Sequence, residues 1–187
     1  MNKIILDTET TGMLKPSVNG LLAQPHMIEI FCCKIDDEFN LIDEFYSLIK
    51  PPIPIPKLIT KITGIDDEMV KDAPSFIKIY LSLAEFFQDT DVMVAHNLSF
   101  DRDIVANELK RIDKLLNFPW PIHHYCTVEE SIHIKGYRLK LAQLHKMATG
   151  NMPVGMHRAK DDVYTLIKCY HWLLEREGWT IFDEDED

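Results

Sequence analysis

The pattern of apolar and polar positions along the chain predicts five strands. Short apolar runs that are rich in Ile, Val, Phe and Tyr and bounded by turn residues are typical of strands. The acidic segment Asp36-Asp37-Glu38 suits a hairpin turn between the second and third of them. The predicted strands are the run that starts at Ile4 and breaks at Gly12, Met27–Ile35, Phe39–Ile49, Asp91–His96 and Pro121–Thr127.

A period near 3.6 residues predicts helices between and after these strands. The prolines at 51, 52, 54 and 56 predict an extended connector whose isoleucines pack locally. Because helices precede and follow the apolar strand at 91–96, the chain is expected to form a layered α/β fold. The predicted helices are Lys57–Ile62, a helix opened by Ala73-Pro74-Ser75, one that starts near Ser99 or Phe100, Val128–His133, Leu139–Ala148 and a last one from Ala159.

Two acids leave the first strand on the same face. Asp7 and Glu9 are two residues apart, so their side chains point to one side of a strand while Thr8 points to the other. Neighbouring carboxylates repel each other unless a cation lies between them, and hard cations such as Mg²⁺ prefer oxygen ligands. The same pattern is common in solvated turns at strand ends, so these residues alone leave both interpretations open.

Two further acids lie on helix faces that are otherwise apolar. Asp101 falls in the first turn of a helix, three residues before Ile104. Asp162 follows Ala159 by three residues on the apolar stripe of the last helix. A first-turn acid at a helix N-terminus is an alternative for Asp101, but a buried carboxylate is costly without a cation, and its repetition in two helices favours a shared role. The predicted stripe of the earlier helix is Ile104, Val105, Leu109, Ile112 and Leu116.

Four carboxylates at one end of a sheet favour the binding of two divalent cations. Such a pair of ions, about 3.5–4 Å apart, stabilises the attacking and leaving oxygens of a phosphoryl displacement. His157 precedes Asp162 by five residues, and an imidazole with a reference pKa of about 6.5 is suited to accept the proton of the attacking water. The residues therefore predict metal-assisted hydrolysis of a phosphodiester. The glycines of the loop Gly150–Met156 predict that His157 moves into place when substrate and metals bind.

Composition and charge modify this picture little. The 187 residues suit a single domain, 1–187, in which 178–187 form a short acidic tail. Asp183–Asp187 supply five negative charges, so a formal net charge of −10 leaves about −5 for the rest of the chain. Four cysteines without Cys-x-x-Cys spacing predict free, buried thiols. The lack of a leader-like start and of a long apolar segment predicts a cytoplasmic protein without membrane contact.

Three ordered motifs resemble those of the DEDD-type 3′-to-5′ exonucleases, histidine subfamily (DEDDh), which includes polymerase proofreading exonucleases, ribonuclease T and oligoribonuclease. Two other short segments, Ile62-Thr63-Gly64-Ile65 and Cys126-Thr127, also resemble family features. The resemblance therefore extends from Ile4 to about Glu175. The three motifs are Asp7-Thr8-Glu9-Thr10-Thr11-Gly12, His96-Asn97-Leu98-Ser99-Phe100-Asp101 and His157-Arg158-Ala159-Lys160-Asp161-Asp162.

The resemblance implies a ribonuclease H-like fold with a central mixed sheet of five strands flanked by helices. It implies that His157 is the general base and that nucleoside 5′-monophosphates leave a 3′ end of DNA or RNA. It also implies that residues 13 and 14 contact the last base. The implied ligands of two Mg²⁺ or Mn²⁺ ions are Asp7, Glu9, Asp101 and Asp162, with Glu9 also catalytic, and the terminal nucleotide is held by Thr8, Glu9, Thr10 and Asn97.

Substrate and partners stay open at this point. Single-stranded or frayed 3′ ends are the expected substrate. The short segment after the last helix favours a stand-alone enzyme over a proofreading subunit associated with a polymerase, and a homodimer is a further alternative. A module that binds nucleic-acid ends without cutting them, and a phosphohydrolase of small nucleotides, are the competing functions. His96 is interpreted as a structural residue at a strand end. The basic residues Lys135, Arg138, Lys140 and Lys146 form either a phosphate-contacting stretch or a solvated face.

Overall fold

The computed structural model describes residues 1–15, 20–155 and 157–177. The acidic tail predicted at 178–187 lies outside the described residues. Short 3₁₀ turns occur at Leu21–Ala23 and Leu115–Asn117. The elements in chain order are β1 (Lys3–Thr10), β2 (Met27–Ile35), β3 (Leu41–Leu48), α1 (Lys57–Thr63), α2 (Asp67–Val70), α3 (Phe76–Phe87), β4 (Val92–Ala95), α4 (Leu98–Arg111), β5 (His123–Cys126), α5 (Thr127–Lys135), α6 (Leu141–Thr149) and α7 (Ala159–Glu177).

The five strands form one mixed sheet in the order β3-β2-β1-β4-β5. The strands β1, β2 and β3 pair in antiparallel fashion, whereas β1–β4 and β4–β5 are parallel. The ladder between β1 and β4 covers only Lys3–Ile5, although β1 continues along β2 as far as Thr10. The mixed five-stranded sheet flanked by helices is confirmed, and the end of β1 that carries the acids extends beyond β4.

Each face of the sheet is covered by helices because β1 is apolar on both sides. Ile4 and Leu6 point into a core shared with α3 and α4, and Ile5 points into a second core shared with α6 and α7. All three side chains are inaccessible to water, and burying each one stabilises the fold by about 1.5–3 kcal/mol. This alternation decides which helix each side chain further along β1 will face.

Local signals place most helix ends where the sequence predicts them. Ser75 is the N-cap of α3, and Gly64 ends α1 with a left-handed φ of 74°, a conformation that glycine adopts without strain. The helix α2 was not predicted; its N-cap Asp66 accepts a hydrogen bond from the Met69 amide. The predicted stripe of α4 is wrong at Leu116, which lies beyond the helix end and is 97% exposed.

The segment after β3 behaves only in part as predicted. Ile55 is buried with Ile28, Ile65 and Val70, whereas Ile53 is exposed, so one isoleucine of the proline-rich connector packs locally and the other does not. All four cysteines are free and buried, as predicted. Among the described residues, no helix combines the length and the apolar character that a membrane span requires.

Candidate active site

Asp7, Glu9 and Asp162 form a compact group of carboxylates, which we call the carboxylate triangle. Asp7 and Glu9 continue the face of β1 that carries Ile5, and this face is packed against α7. Asp162 lies in the first turn of α7 on the same side. One oxygen from each of the three carboxylates lies within 4.8 Å of the others. The two acids predicted on one face of β1 and the acid predicted on the apolar stripe of α7 therefore lie together.

The negative charges of the carboxylate triangle repel each other. Burial raises the pKa of Asp7 well above its usual range, and the charges of Asp101, Asp162 and Glu9 raise it further. Burial, followed by the charge of Asp162, raises the pKa of Glu9 to about 8. A positive ion between the three groups would remove this conflict, because it would balance charges that the protein alone does not neutralise.

Asp162 supplies the observation that tests whether a cation fits. Its Oδ2 accepts a hydrogen bond from the His157 amide at 3.1 Å. Its Oδ1 is buried, and among the residues that the structure describes no group donates a hydrogen bond to it. An unsatisfied buried carboxylate oxygen beside two further carboxylates is a suitable donor set for a divalent metal ion. The residues present thus fit a hard cation.

Asp101 is bonded to Thr8, whose side chain alternates with those of Asp7 and Glu9 along β1. It is 2% exposed in the first turn of α4, and one of its oxygens accepts hydrogen bonds from Thr8, at 3.0 Å from the amide and 2.7 Å from the hydroxyl. The Thr8 amide is available because the ladder to β4 has ended at Ile5. Burial raises the pKa of Asp101 to about 7. Three of the four predicted ligands are therefore grouped, and the fourth lies close enough to act on Asp7 through its charge.

His157 lies in the wall of an open cavity next to the triangle. Its side chain is exposed, and its backbone has a left-handed φ of 71°. Gly155 is also left-handed, and a Cβ at this position would meet the Asp161 carboxylate at 2.9 Å, so the loop requires glycine there. Met156 is outside the described residues. The predicted movement of His157 stays a prediction. The cavity has a volume of about 750 Å³, and its polar lining residues are Asp7, His96, Asn97, Arg138, Lys140, His157 and Asp162.

The predicted nucleotide-binding residues hold different positions around this cavity. Asn97 has a left-handed φ of 77°, and its Oδ1 accepts a hydrogen bond from Arg138 Nη2 at 2.7 Å. Thr10 is buried, and its hydroxyl donates to the Gly12 carbonyl at 2.6 Å. The predicted base contacts differ in exposure, since Met13 is 72% exposed and Leu14 packs against the core. Their roles toward a nucleotide stay predictions.

His96 has the structural position that the sequence predicts. Its Nε2 donates to the Leu139 carbonyl at 3.1 Å, and its Nδ1 accepts from the Thr127 hydroxyl at 2.9 Å. Burial lowers the pKa of His96 to about 4. The neutral ring therefore ties the end of β4 to the segments around α5 and α6.

Sequence reasoning missed one buried acid and its partner. Glu29 of β2 is 1% exposed and forms an ion pair with Arg158 at 2.6 Å. The available signal was a lone glutamate inside the apolar run Met27–Ile35, together with an arginine directly after His157. Neither residue suggested the other because they are separated by 129 positions.

Several curated proteins with similar sequences are DNA polymerases III or their subunits, and another is a putative bifunctional exonuclease/endonuclease of Mycobacterium tuberculosis. The PolC-type DNA polymerase III of Caldanaerobacter subterraneus subsp. tengcongensis is 37% identical over 178 residues, which are 92% of this chain and 12% of that protein. The DNA polymerase III subunit epsilon of Buchnera aphidicola subsp. Schizaphis graminum is 30% identical over 190 residues, covering 97% of this chain and 78% of the subunit. This chain thus spans only 8–12% of the length of the PolC-type relatives.

Solved structures of nucleases share the fold. Exonuclease X in complex with 5′ overhanging duplex DNA superposes with a TM-score of 0.69 at 24% identity, over 95% of this chain and 94% of that one. The nuclease domain of 3′hExo, a DEDDh family member bound to rAMP, gives a TM-score of 0.74 at 13% identity, over 95% and 92% of the two chains. The predicted ribonuclease H-like fold is thereby confirmed.

The family itself follows from the sequence match that covers most of the chain. The RNase_T model, described as exonuclease, matches residues 4–170. The matched region contains every residue of the carboxylate triangle as well as Asp101 and His157. On this match, and on the resemblance of its three motifs, the chain belongs to the RNase_T exonuclease family.

Proposed function

We propose that this protein is a metal-dependent 3′-to-5′ exonuclease that hydrolyses the terminal phosphodiester bond of a nucleic acid and releases a nucleoside 5′-monophosphate. The observation that carries the proposal is the carboxylate triangle, in which one oxygen from each carboxylate lies within 4.8 Å of the others. The chain that forms this triangle belongs to a family of exonucleases. A module that only holds nucleic-acid ends would not need this costly group of like charges.

Asp7, Glu9 and Asp162, together with Asp101 of α4, would hold two Mg²⁺ or Mn²⁺ ions. When bound, these ions supply positive charge that stabilises the attacking and leaving oxygens of the displacement. The unsatisfied Oδ1 of Asp162 supports a role as ligand. The raised pKa values of Asp7 and Glu9 support the same conclusion, since both carboxylates gain from a neighbouring positive charge.

His157 is the general base in this proposal. His157 lines the same cavity as Asp7 and Asp162, where the attacking water would be held. The hydrogen bond from the His157 amide to Asp162 fixes the backbone of the base next to one of the ligands. The base would take the proton from the attacking water as its oxygen bonds to phosphorus, while the bond from phosphorus to the 3′ oxygen of the preceding nucleotide breaks and that oxygen gains a proton from solvent. Such base catalysis contributes about 10²- to 10⁴-fold to the rate.

DNA 3′ ends are the substrate class favoured by the similar proteins. The structures of exonuclease X and of exonuclease I contain duplex DNA with a 5′ overhang and single-stranded DNA, respectively. In this chain, Asn97 and Arg138 line the same cavity as Asp7 and Asp162 and would contact the sugar-phosphate backbone there. Thr8 and Thr10 would shape the pocket of the terminal nucleotide from the β1 side.

A proofreading role in association with a polymerase is a second candidate. The similarity to DNA polymerase III subunit epsilon and to PolC-type polymerases favours it. The two candidates share the same chemistry and differ in partner. Co-purification with a polymerase subunit would separate proofreading from trimming by a free enzyme.

The proposal is tested by incubating purified protein with 5′-labelled oligonucleotides and Mn²⁺ or Mg²⁺. We expect the label to move to shorter products one nucleotide at a time, and nucleoside 5′-monophosphate to appear in equal amount. The variants Asp7→Ala and His157→Ala should lower the cleavage rate about 10²-fold or more. Parallel substrates of single-stranded DNA, duplex DNA and RNA would identify the preferred one.

The matched control for this assay is His133→Ala, since His133 is an exposed histidine of α5 and is absent from the cavity lining. It should cleave at the wild-type rate. Intact label after long incubation with either metal would refute the proposal. Hydrolysis of free nucleotides without shortening of oligonucleotides would support a small-nucleotide phosphohydrolase instead.

A further inference from the structure

A buried carboxylate outside the proposed ligand set, that of Glu29, lies beside the carboxylate triangle. Glu29 is the register partner of Glu9 on the neighbouring strand, and such pairs have Cβ atoms about 4.5–5.5 Å apart. Its charge contributes to raising the pKa of Asp7, Glu9 and Asp162. A carboxylate that is 1% exposed at this position needs strong partners of its own.

Both oxygens of Glu29 are occupied by donors. Arg158 Nε lies 3.1 and 3.2 Å from the two oxygens, and Arg158 Nη2 lies 2.6 Å from Oε1. The Tyr46 hydroxyl donates to Oε1 at 3.2 Å, and the Ala159 amide donates to Oε2 at 3.0 Å. This arrangement uses the fork of the guanidinium on a single carboxylate, which lysine does not reproduce. Glu29 is therefore committed to Arg158 and Ala159.

These bonds anchor the segment that carries His157. Arg158 follows His157 directly, and Ala159 is the first residue of α7. Because α7 packs over β2, Glu29 satisfies a backbone amide at the N-terminus of this helix. On the other side, the His157 amide is bonded to Asp162. His157 is thus fixed by its own amide bond to Asp162 of α7 and by the bonds that the next two residues, Arg158 and Ala159, donate to Glu29 of β2.

The backbone of His157 needs such anchoring. Its φ of 71° lies in the left-handed region, which costs a residue with a side chain about 1–2 kcal/mol. A strained conformation of this kind persists only where surrounding contacts determine it. The side chain itself is exposed, so packing of the imidazole does not provide the determination. The hydrogen bonds from Arg158 and Ala159 to Glu29 fix this backbone conformation instead.

We propose that the Glu29–Arg158 pair is a positioning device that keeps His157 in its left-handed conformation at the carboxylate triangle. This inference rests on the proposed function, because it gives His157 the role of base. Glu29 and Arg158 are positioning residues that act through His157, and they take no part in binding the metals.

The experiment compares Arg158→Ala with Lys160→Ala in the oligonucleotide assay. Lys160 is the matched control because it is an exposed cation two residues after Arg158, at the second position of α7, with its own partner, Glu44. We expect Arg158→Ala to lower kcat about 10- to 100-fold, a part of the contribution of a general base, while KM changes less than about threefold. Lys160→Ala should cleave like the wild-type protein.

Two further readouts separate positioning from a general loss of structure. The rise in Tm that Mn²⁺ causes should not be smaller in Arg158→Ala than in the wild-type protein, since the three carboxylates of the triangle stay in place. The isosteric variant Glu29→Gln should lower kcat as well, and the double variant Glu29→Gln/Arg158→Ala should lose no more than Arg158→Ala alone, because the two residues act as one unit. Arg158→Lys should recover only part of the activity.

The outcomes divide clearly. A wild-type kcat in both Arg158→Ala and Glu29→Gln would overturn the inference. So would an Arg158→Ala variant in which kcat falls, KM rises and the Mn²⁺-induced rise in Tm is lost together. If Arg158→Ala does not fold, Glu29→Gln and Arg158→Lys decide the same question. A wild-type protein that leaves oligonucleotides intact would instead refute the proposed function, whereas an active wild-type protein with an equally active Arg158→Ala refutes only the positioning role.

Discussion

At the scale of single residues, the site is a set of groups that are unfavourable in the metal-free protein. The carboxylate triangle brings three like charges together, and Glu29 adds a fourth nearby charge that Arg158 neutralises. Unfavourable groups of this kind cluster at functional sites, where a bound ligand offsets the repulsion between them. Without the ligand, this repulsion lowers the stability of the fold. This cost can be measured because it depends on pH.

Stability of the metal-free protein should fall as pH rises from 5 to 8. The pKa of Glu9 is raised from 4.5 to about 8 in the folded protein, so folding favours the protonated form. Above pH 4.5 the unfolded chain is ionised, and the folded state loses up to a few kcal/mol until pH passes the folded pKa. Thermal unfolding in EDTA at pH 5, 6, 7 and 8 should show this decline. The variant Glu9→Gln should make it less steep, and the remaining slope comes from Asp7, Asp101 and Asp162, whose pKa values are also raised.

The control for Glu9→Gln is Glu85→Gln, which changes an exposed glutamate of α3. It should leave the decline of Tm with pH as in the wild-type protein. A Glu9→Gln variant that declines as steeply as the wild-type protein would contradict the assignment of this repulsion to Glu9.

Thr8 should act through Asp101. Its amide and hydroxyl both donate to one oxygen of Asp101, so Thr8→Val leaves a buried carboxylate with one donor fewer. We expect a loss of about 1–3 kcal/mol of unfolding free energy, measured by urea denaturation without metal. Thr8→Ser keeps the hydroxyl and should restore most of it. A Thr8→Val variant of wild-type stability that binds oligonucleotides weakly would instead support direct contact with the substrate.

At the scale of elements, the acids could be predicted because strand and helix periodicities are local. Asp7 and Glu9 share a face by the alternation along β1, and Asp162 follows the stripe of α7. Where a helix ends is less clear from apolar spacing alone, and Leu116 shows this: its spacing continues the stripe of α4, yet the helix ends at Arg111.

Contacts between distant segments explain what the sequence did not reveal. Glu29 meets Arg158 because β2 lies beside β1 and α7 packs over both strands. The grouping of Asp101 with Thr8 likewise depends on where the β1–β4 ladder stops. Neither fact has a local signal, since each arises from the register of one strand against another.

The helix α7 contains a hydroxyl that offers a second test of packing. Tyr170 is fully buried, and within the described ranges its Oη has no hydrogen-bond partner. Tyr170→Phe removes an unsatisfied polar group and keeps the ring contacts with Phe39 and Tyr125. We expect it to stabilise the protein by about 1 kcal/mol, and to raise Tm by about 2–4 °C in differential scanning calorimetry.

Tyr164→Phe on the same helix is the comparison for this variant. The Tyr164 hydroxyl donates to Glu44 and is partly exposed, so its removal should leave Tm unchanged or lower it slightly. If Tyr170→Phe lowers Tm, the hydroxyl has a favourable interaction, and the assignment of an unsatisfied group is wrong.

At the scale of the whole molecule, metal binding and folding are linked. The proposed ligands come from β1, α4 and α7, so an ion at the triangle binds only the folded chain. At a free Mn²⁺ concentration 100 times its dissociation constant, linkage gives about 2.7 kcal/mol, or a rise in Tm of about 5–10 °C. EDTA should reverse the rise, and Asp7→Asn should abolish it. An unchanged Tm at saturating Mn²⁺ would contradict the assignment of the triangle as a metal site.

The distance along the chain between the parts of the site has a consequence for synthesis. The hydrogen bonds between Thr8 and Asp101 close a separation of 93 residues, and Asp162 joins Asp7 only when α7 packs on the sheet. Contacts of such long range require the closure of long loops, which slows folding. A growing chain on the ribosome therefore has no complete ligand set until Asp162 has emerged, and under the proposed function it stays unable to cut nucleic acid, including its own messenger RNA, until then.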